Sequence, residues 1–173
     1  MRRLALIPIA LFLVWCPGCN RTISNPTVVL VVRHAEKASD DADTPLSDAG
    51  MRRGQALARV AGDARVSAIY ASQFKRTRDT AQPLAQQLGI PVTEMPVNLD
   101  NPGDYGKQLA RDVLDKHAGQ SVLVVSHRNT VSSIVEALAG KSPGEIQDVY
   151  SDLFIIVIPP GGSARLIKGQ YAF

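Results

Sequence analysis

Val28-Val29-Leu30-Val31-Val32 is an unbroken run of apolar, mostly β-branched residues. A strand with one face in water alternates apolar and polar side chains, so a run without alternation reads as a strand buried on both faces. Val122-Leu123-Val124-Val125 repeats the signature, and residues 66–71 form a shorter third strand. Strands buried on both faces need helices above and below, and the intervening sequence supplies them. Ser47 caps a helix through about residue 61, with Asp48 near its N-terminus and Leu57, Ala58 and Val60 among its inward positions. A second helix spans about 75–88, stopped by Gly89 and Pro91. A third spans about 104–117 and ends at Gly119; a fourth spans about 129–138. Residues 92–95 read as one more strand, and 38–46 and 96–103 as loops. Near the C-terminus, runs at 153–158 and 165–168 flank Pro159-Pro160-Gly161-Gly162, a hairpin-like turn. The order predicts an α/β fold: a three-layer α/β/α sandwich with a mostly parallel central sheet and an antiparallel C-terminal strand pair.

A chain of 173 residues accommodates one domain, and 45% apolar content with balanced charge excludes a disordered chain. Its pI near 9.0 suggests nucleic acid, but Arg2 and Arg3 belong to an apparent leader. Without residues 1–18 the balance is 17 basic against 16 acidic residues, and the sequence contains no Lys/Arg run. Nucleic acid is therefore not an expected partner. Residues 1–19 have a positive start followed by an apolar stretch over 4–16, too short to favour a membrane span. This resembles a secretory signal, and Cys19 after Gly18 resembles the lipid-bearing cysteine of bacterial lipoproteins, although Cys16 and Pro17 depart from that pattern. The expectation is export, with the protein periplasmic or membrane-tethered through a lipid on Cys19. Residues 20–27 would be a short tether and 28–173 the folded domain. Both cysteines lie in the leader, so the domain has neither an internal disulfide nor a cysteine-based metal site.

Three strand ends carry the chemistry. Arg33-His34-Ala35-Glu36-Lys37 follows the first strand, Ser126-His127-Arg128-Asn129 follows the 122–125 strand, and Ala71-Ser72-Gln73-Phe74-Lys75-Arg76 closes the 66–71 strand. In an open α/β sheet the crevice beyond the carboxyl ends of parallel strands is where ligands bind. Two imidazoles, two guanidiniums and the amides of helix N-termini should meet there. That set suits a phosphoryl group: arginine binds it bidentately with a charge that is not lost, and histidine can be nucleophile or donor. His117, near a helix C-terminus, reads as a packed or surface side chain.

Arg33-His34-Ala35-Glu36 resembles the Arg-His-Gly-Glu signature of the histidine phosphatase superfamily, in its phosphoglycerate-mutase-like first branch. Thr44-Pro45-Leu46-Ser47-Asp48-Ala49-Gly50 is similar to the family's Pro-Leu-Thr-x-x-Gly helix opening. Residues 71–81 resemble its Ser-x-x-x-Arg-x-x-x-Thr-Ala element, and Val124-Val125-Ser126-His127 its second histidine strand. The resemblance covers about residues 28–158. It implies that His34 is the nucleophile that becomes phosphohistidine, that Arg33, Arg76 and His127 bind phosphoryl oxygens, and that no metal or cofactor is needed. The Ser72 spacing selects Arg76 over Arg78. Arg128 and Lys37 would colour the rim or remain solvated surface charges, while Asn129 and Thr130 would cap the helix that follows.

The acidic motif of members that cleave alkyl phosphates is not recognisable. Asp100 is the best-placed candidate acid, Glu36 a second, and Asp104 reads as the start of a helix. The chain thus resembles compact members without a dedicated acid, such as phosphohistidine phosphatases. It is too short for the insertions of true mutases, and Arg128 stands where the other branch of the superfamily has Asp after its histidine. The expected activity is an exported, metal-independent phosphatase acting on a phosphorylated small molecule or phosphoprotein. The alternatives are an envelope protein that binds a phospho-ligand with little turnover, or a tethered scaffold; oligomeric state is not legible.

Overall fold

The computed structural model describes residues 25–147 and 149–172. The leader, Cys19 and residues 20–24 of the expected tether lie outside them. Among the described residues strands and helices alternate up to a final strand pair: β1 (Thr27–Arg33), α1 (Asp48–Ala61), β2 (Val66–Ala71), α2 (Lys75–Leu88), β3 (Val92–Glu94), α3 (Pro102–Lys116), β4 (Ser121–Ser126), α4 (Arg128–Ala139), β5 (Asp152–Ile158) and β6 (Arg165–Gln170). They build one sheet in the order β3-β2-β4-β1-β5-β6. β1, β2, β3 and β4 run parallel, while β5 is antiparallel to β1 and to β6.

The apolar runs do what non-alternating strands must. Val29, Val31, Val122 and Val124 face one core with α3 and α4, together with Leu109, Val113 and Ile134. Leu30, Val32, Leu123 and Val125 face the other with α1 and α2, against Leu57 and Leu84. The fold is the expected three-layer sandwich. The helix boundaries follow local chemistry: Ser47 Oγ accepts from the Gly50 N–H at the start of α1, and Gly89 ends α2 with φ 66°, a conformation glycine adopts without strain. Among the described residues, no helix is long and apolar enough to cross a membrane.

Four details differ from the sequence reading. Thr27 belongs to β1 rather than to a tether, and its Oγ1 accepts from the Gly119 N–H at 2.8 Å. Helix α3 begins at Pro102, two residues early, because proline suits the first helical position, where its missing N–H has no partner to lose. Val60 is 50% exposed, since the buried stripe of α1 runs through Ala56, Leu57 and Ala61. The C-terminal strands also begin or end further out, β6 reaching Gln170.

Candidate active site

Strand register assembles the site. β1 and β4 are parallel neighbours with Arg33 opposite Ser126, so His34 and His127 leave the sheet side by side. β2 flanks β4 with Ala71 opposite Val125, which brings Ser72 to the same edge. The main-chain N–H of His34 donates to Ser126 O at 2.8 Å and locks the first two strand ends together. Arg76 stands in the first turn of α2, at the same edge. All four predicted residues, Arg33, His34, Arg76 and His127, therefore line one cavity of about 450 Å³. The start of α4, with Leu99 and Ile146, completes its wall.

His34 is 5% exposed, and its ring has one defined orientation. Nδ1 lies 2.8 Å from the Ala35 carbonyl. A carbonyl only accepts, so Nδ1 carries the proton and Nε2 the lone pair. Burial pulls the His34 pKa down to about 4; the Ala35 contact opposes this, and Arg76, Arg33 and Lys37 add to the depression. At neutral pH His34 is an uncharged imidazole with an available Nε2.

His127 is 4% exposed and held the other way round. Its side chain accepts the Thr130 main-chain N–H, and Arg76 Nη2 points at Nδ1 from 3.3 Å. Both are donors, so the ring proton sits on Nε2, 2.8 Å from Ser72 Oγ. Ser72 Oγ in turn lies 2.9 Å from Thr77 Oγ1, which donates on to the main chain. Burial, followed by the neighbouring His34, Arg76 and Arg33, lowers the His127 pKa to about 3.

Each guanidinium rests on an aromatic ring. Arg33 Cζ lies 4.1 Å from the centroid of Tyr150, and Arg76 Cζ 4.4 Å from that of Phe74. Arg76 Nη1 also donates to Ala42 O at 2.8 Å, anchoring the side chain to the 38–46 loop. The distinction from Arg78 is settled by geometry: Arg78 turns away to Gln73 O and Glu94.

The candidate acids fare differently. Glu36 is gripped by Arg53, whose Nε and Nη2 reach its carboxylate at 2.7–2.9 Å. The carboxylate pKa is lowered: burial opposes, but the Arg53 hydrogen bonds and charge prevail. A carboxylate tied to α1 is not a proton shuttle for His34, and that reading is corrected. Asp100 is exposed and does not line the cavity, where its neighbour Leu99 takes the position. The reading of Asp100 as the acid is corrected too, because Asn129 Nδ2 holds Leu99 O at 3.0 Å and sets the phase of the loop. Asp104 sits in the first turn of α3, as expected of a helix start. Among the described residues that line the cavity none is a carboxylate. Nor, among described residues, does any group of three or more His, Cys, Asp or Glu stand where it could hold a metal ion.

Lys37 pairs with Asp40 outside the cavity, whereas Arg128 lines its rim. Thr130 caps α4 through a reciprocal capping box with His127. His117 lies against Tyr70, its Nε2 3.0 Å from the hydroxyl, in a packed position. Sequence reasoning missed Tyr150 and Ile146, which come from the irregular segment after α4, and gave Ser72 a spacing but no role.

Residues 29–97 match the family model for the histidine phosphatase superfamily (branch 1). Over this stretch, about two fifths of the sequence, the chain is similar to that superfamily. No curated protein sequence matches it. Several solved phosphatase structures share its fold. Phosphoserine phosphatase from Entamoeba histolytica, in complex with 3-phosphoglyceric acid, superposes with a TM-score of 0.67 at 15% identity, covering 85% of this chain and 98% of its own. Mycobacterial glucosyl-3-phosphoglycerate phosphatase gives 0.66 at 15% identity, covering 86% and 100%. The protein histidine phosphatase SixA, complexed with tungstate, gives 0.60 at 20% identity, covering 83% and 96%. At these identities the structures establish the fold.

Proposed function

We propose that the protein is a metal-independent phosphatase that transfers a phosphoryl group to His34 Nε2 and then to water. One observation carries this reading. A neutral imidazole, its lone pair fixed on Nε2 by the Ala35 carbonyl, shares a cavity with two arginines and a second histidine. The phosphoryl group enters between Arg33, Arg76 and His127. The His34 Nε2 lone pair forms the N–P bond as the P–O bond to the leaving group breaks and its electron pair departs on oxygen. The guanidiniums spread and stabilise charge on the three equatorial oxygens, fixed in place before the reaction begins. Water then attacks phosphorus, the N–P bond breaks, and its electrons return to Nε2. Inorganic phosphate leaves.

The substrate is a phosphorylated small molecule or phosphoprotein with a leaving group that departs with little protonation, which fits the compact, phosphohistidine-phosphatase-like reading. Export rests on the leader at 1–19, with Cys19 as lipid attachment point. Asn25 and Pro26 precede the N-terminal end of β1, while the cavity opens at the carboxyl ends of the strands. A lipid-anchored chain would thus present its cavity away from the membrane.

The test is hydrolysis in EDTA of an aryl phosphate and an alkyl phosphate by the purified protein and by His34→Ala. The proposal predicts His34-dependent turnover of the aryl ester, whose oxygen leaves unaided, well above the alkyl ester, which needs a proton donor. Vanadate binding without turnover of either would instead identify a phospho-ligand-binding protein.

A further inference from the structure

Among the described residues, helices α1 to α4 each follow the carboxyl end of a parallel strand, and their first turns fall into two groups. α1 and α3 begin with an acid, Asp48 and Asp104, as the positive end of a helix dipole favours. α2 and α4, whose starts form the cavity wall, have no acid in the first turn and carry Arg76 and Arg128 there instead. A cation at a helix N-terminus is electrostatically unfavourable, and Arg76 has an evident reason to be there. Arg128 does not. The phosphoryl group already faces Arg33, Arg76 and His127, so it needs no third guanidinium.

Arg128 is also held in place. Its Nε donates to the Ile146 carbonyl at 3.2 Å, which ties the guanidinium to the segment after α4 and keeps it at the mouth of the cavity. Among the described residues it makes no ion pair. Beside it on α4, Asn129 and Ser132 line the same wall, and Leu99 and Ile146 supply the apolar part. Besides Arg33, Arg76 and His127, the wall therefore offers a cation, two polar side chains and an apolar part.

We propose that Arg128 is the specificity-determining residue of this cavity, binding a second anionic group carried by the leaving group of the phosphorylated substrate. The inference rests on the phosphatase reading for its substrate, but not for its test. A guanidinium matches a carboxylate or a second phosphoryl group in fork geometry, and either gives the same charge-assisted contact.

The experiment compares phenylphosphonate with para-carboxyphenylphosphonate, whose C–P bonds are not hydrolysed, by calorimetry on the wild-type protein and on Arg128→Gln and Arg128→Lys. In the wild type the carboxylated ligand binds ~10-fold tighter, the scale of one charge-assisted contact at a partly wet rim. Arg128→Gln collapses that ratio towards unity, and Arg128→Lys retains part of it. Equal affinities in the wild type overturn the proposal, as does a ratio that survives Arg128→Gln or a failure to bind either ligand. Turnover of phenyl phosphate and para-carboxyphenyl phosphate is then measured on the same proteins. A binding ratio that depends on Arg128 without hydrolysis of either ester keeps the subsite and defeats the phosphatase reading.

Discussion

Ser72 Oγ lies 2.8 Å from Nε2 of His127, joining the ends of two neighbouring strands through a buried hydrogen bond. The bond fixes the orientation of the second imidazole in the cavity, and Thr77 passes the chain of hydroxyls on to the backbone. Ser72→Ala leaves the buried Nε2–H without its partner, at a cost of about 1–3 kcal/mol in stability. The ring is then free to turn, so kcat/KM for an aryl phosphate should fall ~10- to 100-fold while the far-ultraviolet circular dichroism is unchanged. Ser72→Thr, which keeps the hydroxyl, should retain more activity than Ser72→Ala; equal loss in both would show that only packing matters here.

Acid should weaken the fold through the two histidines. Both are held neutral, with values lowered to about 4 for His34 and about 3 for His127, whereas an unfolded histidine titrates at about 6.5. Below about pH 6.5 the unfolded chain therefore binds protons that the folded chain refuses, and stability declines as pH falls towards those lower values. At about 1.4 kcal/mol per pKa unit the loss amounts to a few kcal/mol. Thermal unfolding followed from pH 8 to pH 4 should show this decline, with a shallower slope in His34→Asn. Identical slopes would mean that His34 is not buried neutral.

Glu36 and Arg53 form a structural pair rather than a proton path. Both are largely buried, and removing one partner leaves the other charge poorly compensated, so Glu36→Ala should cost about 2 kcal/mol. The pH–rate profile should keep its shape, because the carboxylate takes no part in proton transfer. A profile that loses its acidic limb in Glu36→Gln would restore Glu36 as a catalytic group.

Gly50 shows how tightly the loop after His34 is packed. A Cβ at this position would collide with the Glu36 carbonyl oxygen, a backbone atom that cannot swing aside. Gly50→Ala should therefore destabilise the protein by about 1–3 kcal/mol, as overpacking does, and lower activity by shifting the segment that carries His34. Denaturant unfolding alongside an aryl phosphate assay checks both. In contrast, nothing lies within 4 Å of a Cβ built at Gly103, where alanine is expected to be tolerated.

The parts legible in the sequence were those whose physics is local. Unalternating runs at Val28–Val32 and Val122–Val125 announce strands buried on both faces, and once those strands are parallel neighbours the residues after them must meet. Arg33, His34 and His127 followed from that step alone, and Arg76 from its place in the next helix. Glu36 misled because sequence adjacency to His34 says nothing of Arg53, seventeen residues on, which claims the carboxylate. Pro102 and Gly103 read as loop because proline and glycine break helices internally, yet the first turn tolerates both. Tyr150 and Ile146 were not legible at all, since the segment after α4 has no periodicity to place them over Arg33 and beside Arg128.

Trapping the covalent intermediate tests the mechanism most directly. The protein would be mixed with an aryl phosphate, quenched within milliseconds in alkali, digested, and its phosphopeptides identified by mass spectrometry and phosphorus magnetic resonance. Because Nδ1 of His34 is committed to the Ala35 carbonyl, the mechanism predicts an acid-labile, alkali-stable phosphoryl group on His34 Nε2, absent from His34→Ala. Label on Nδ1, label on His127, or steady turnover with no phosphohistidine would contradict it.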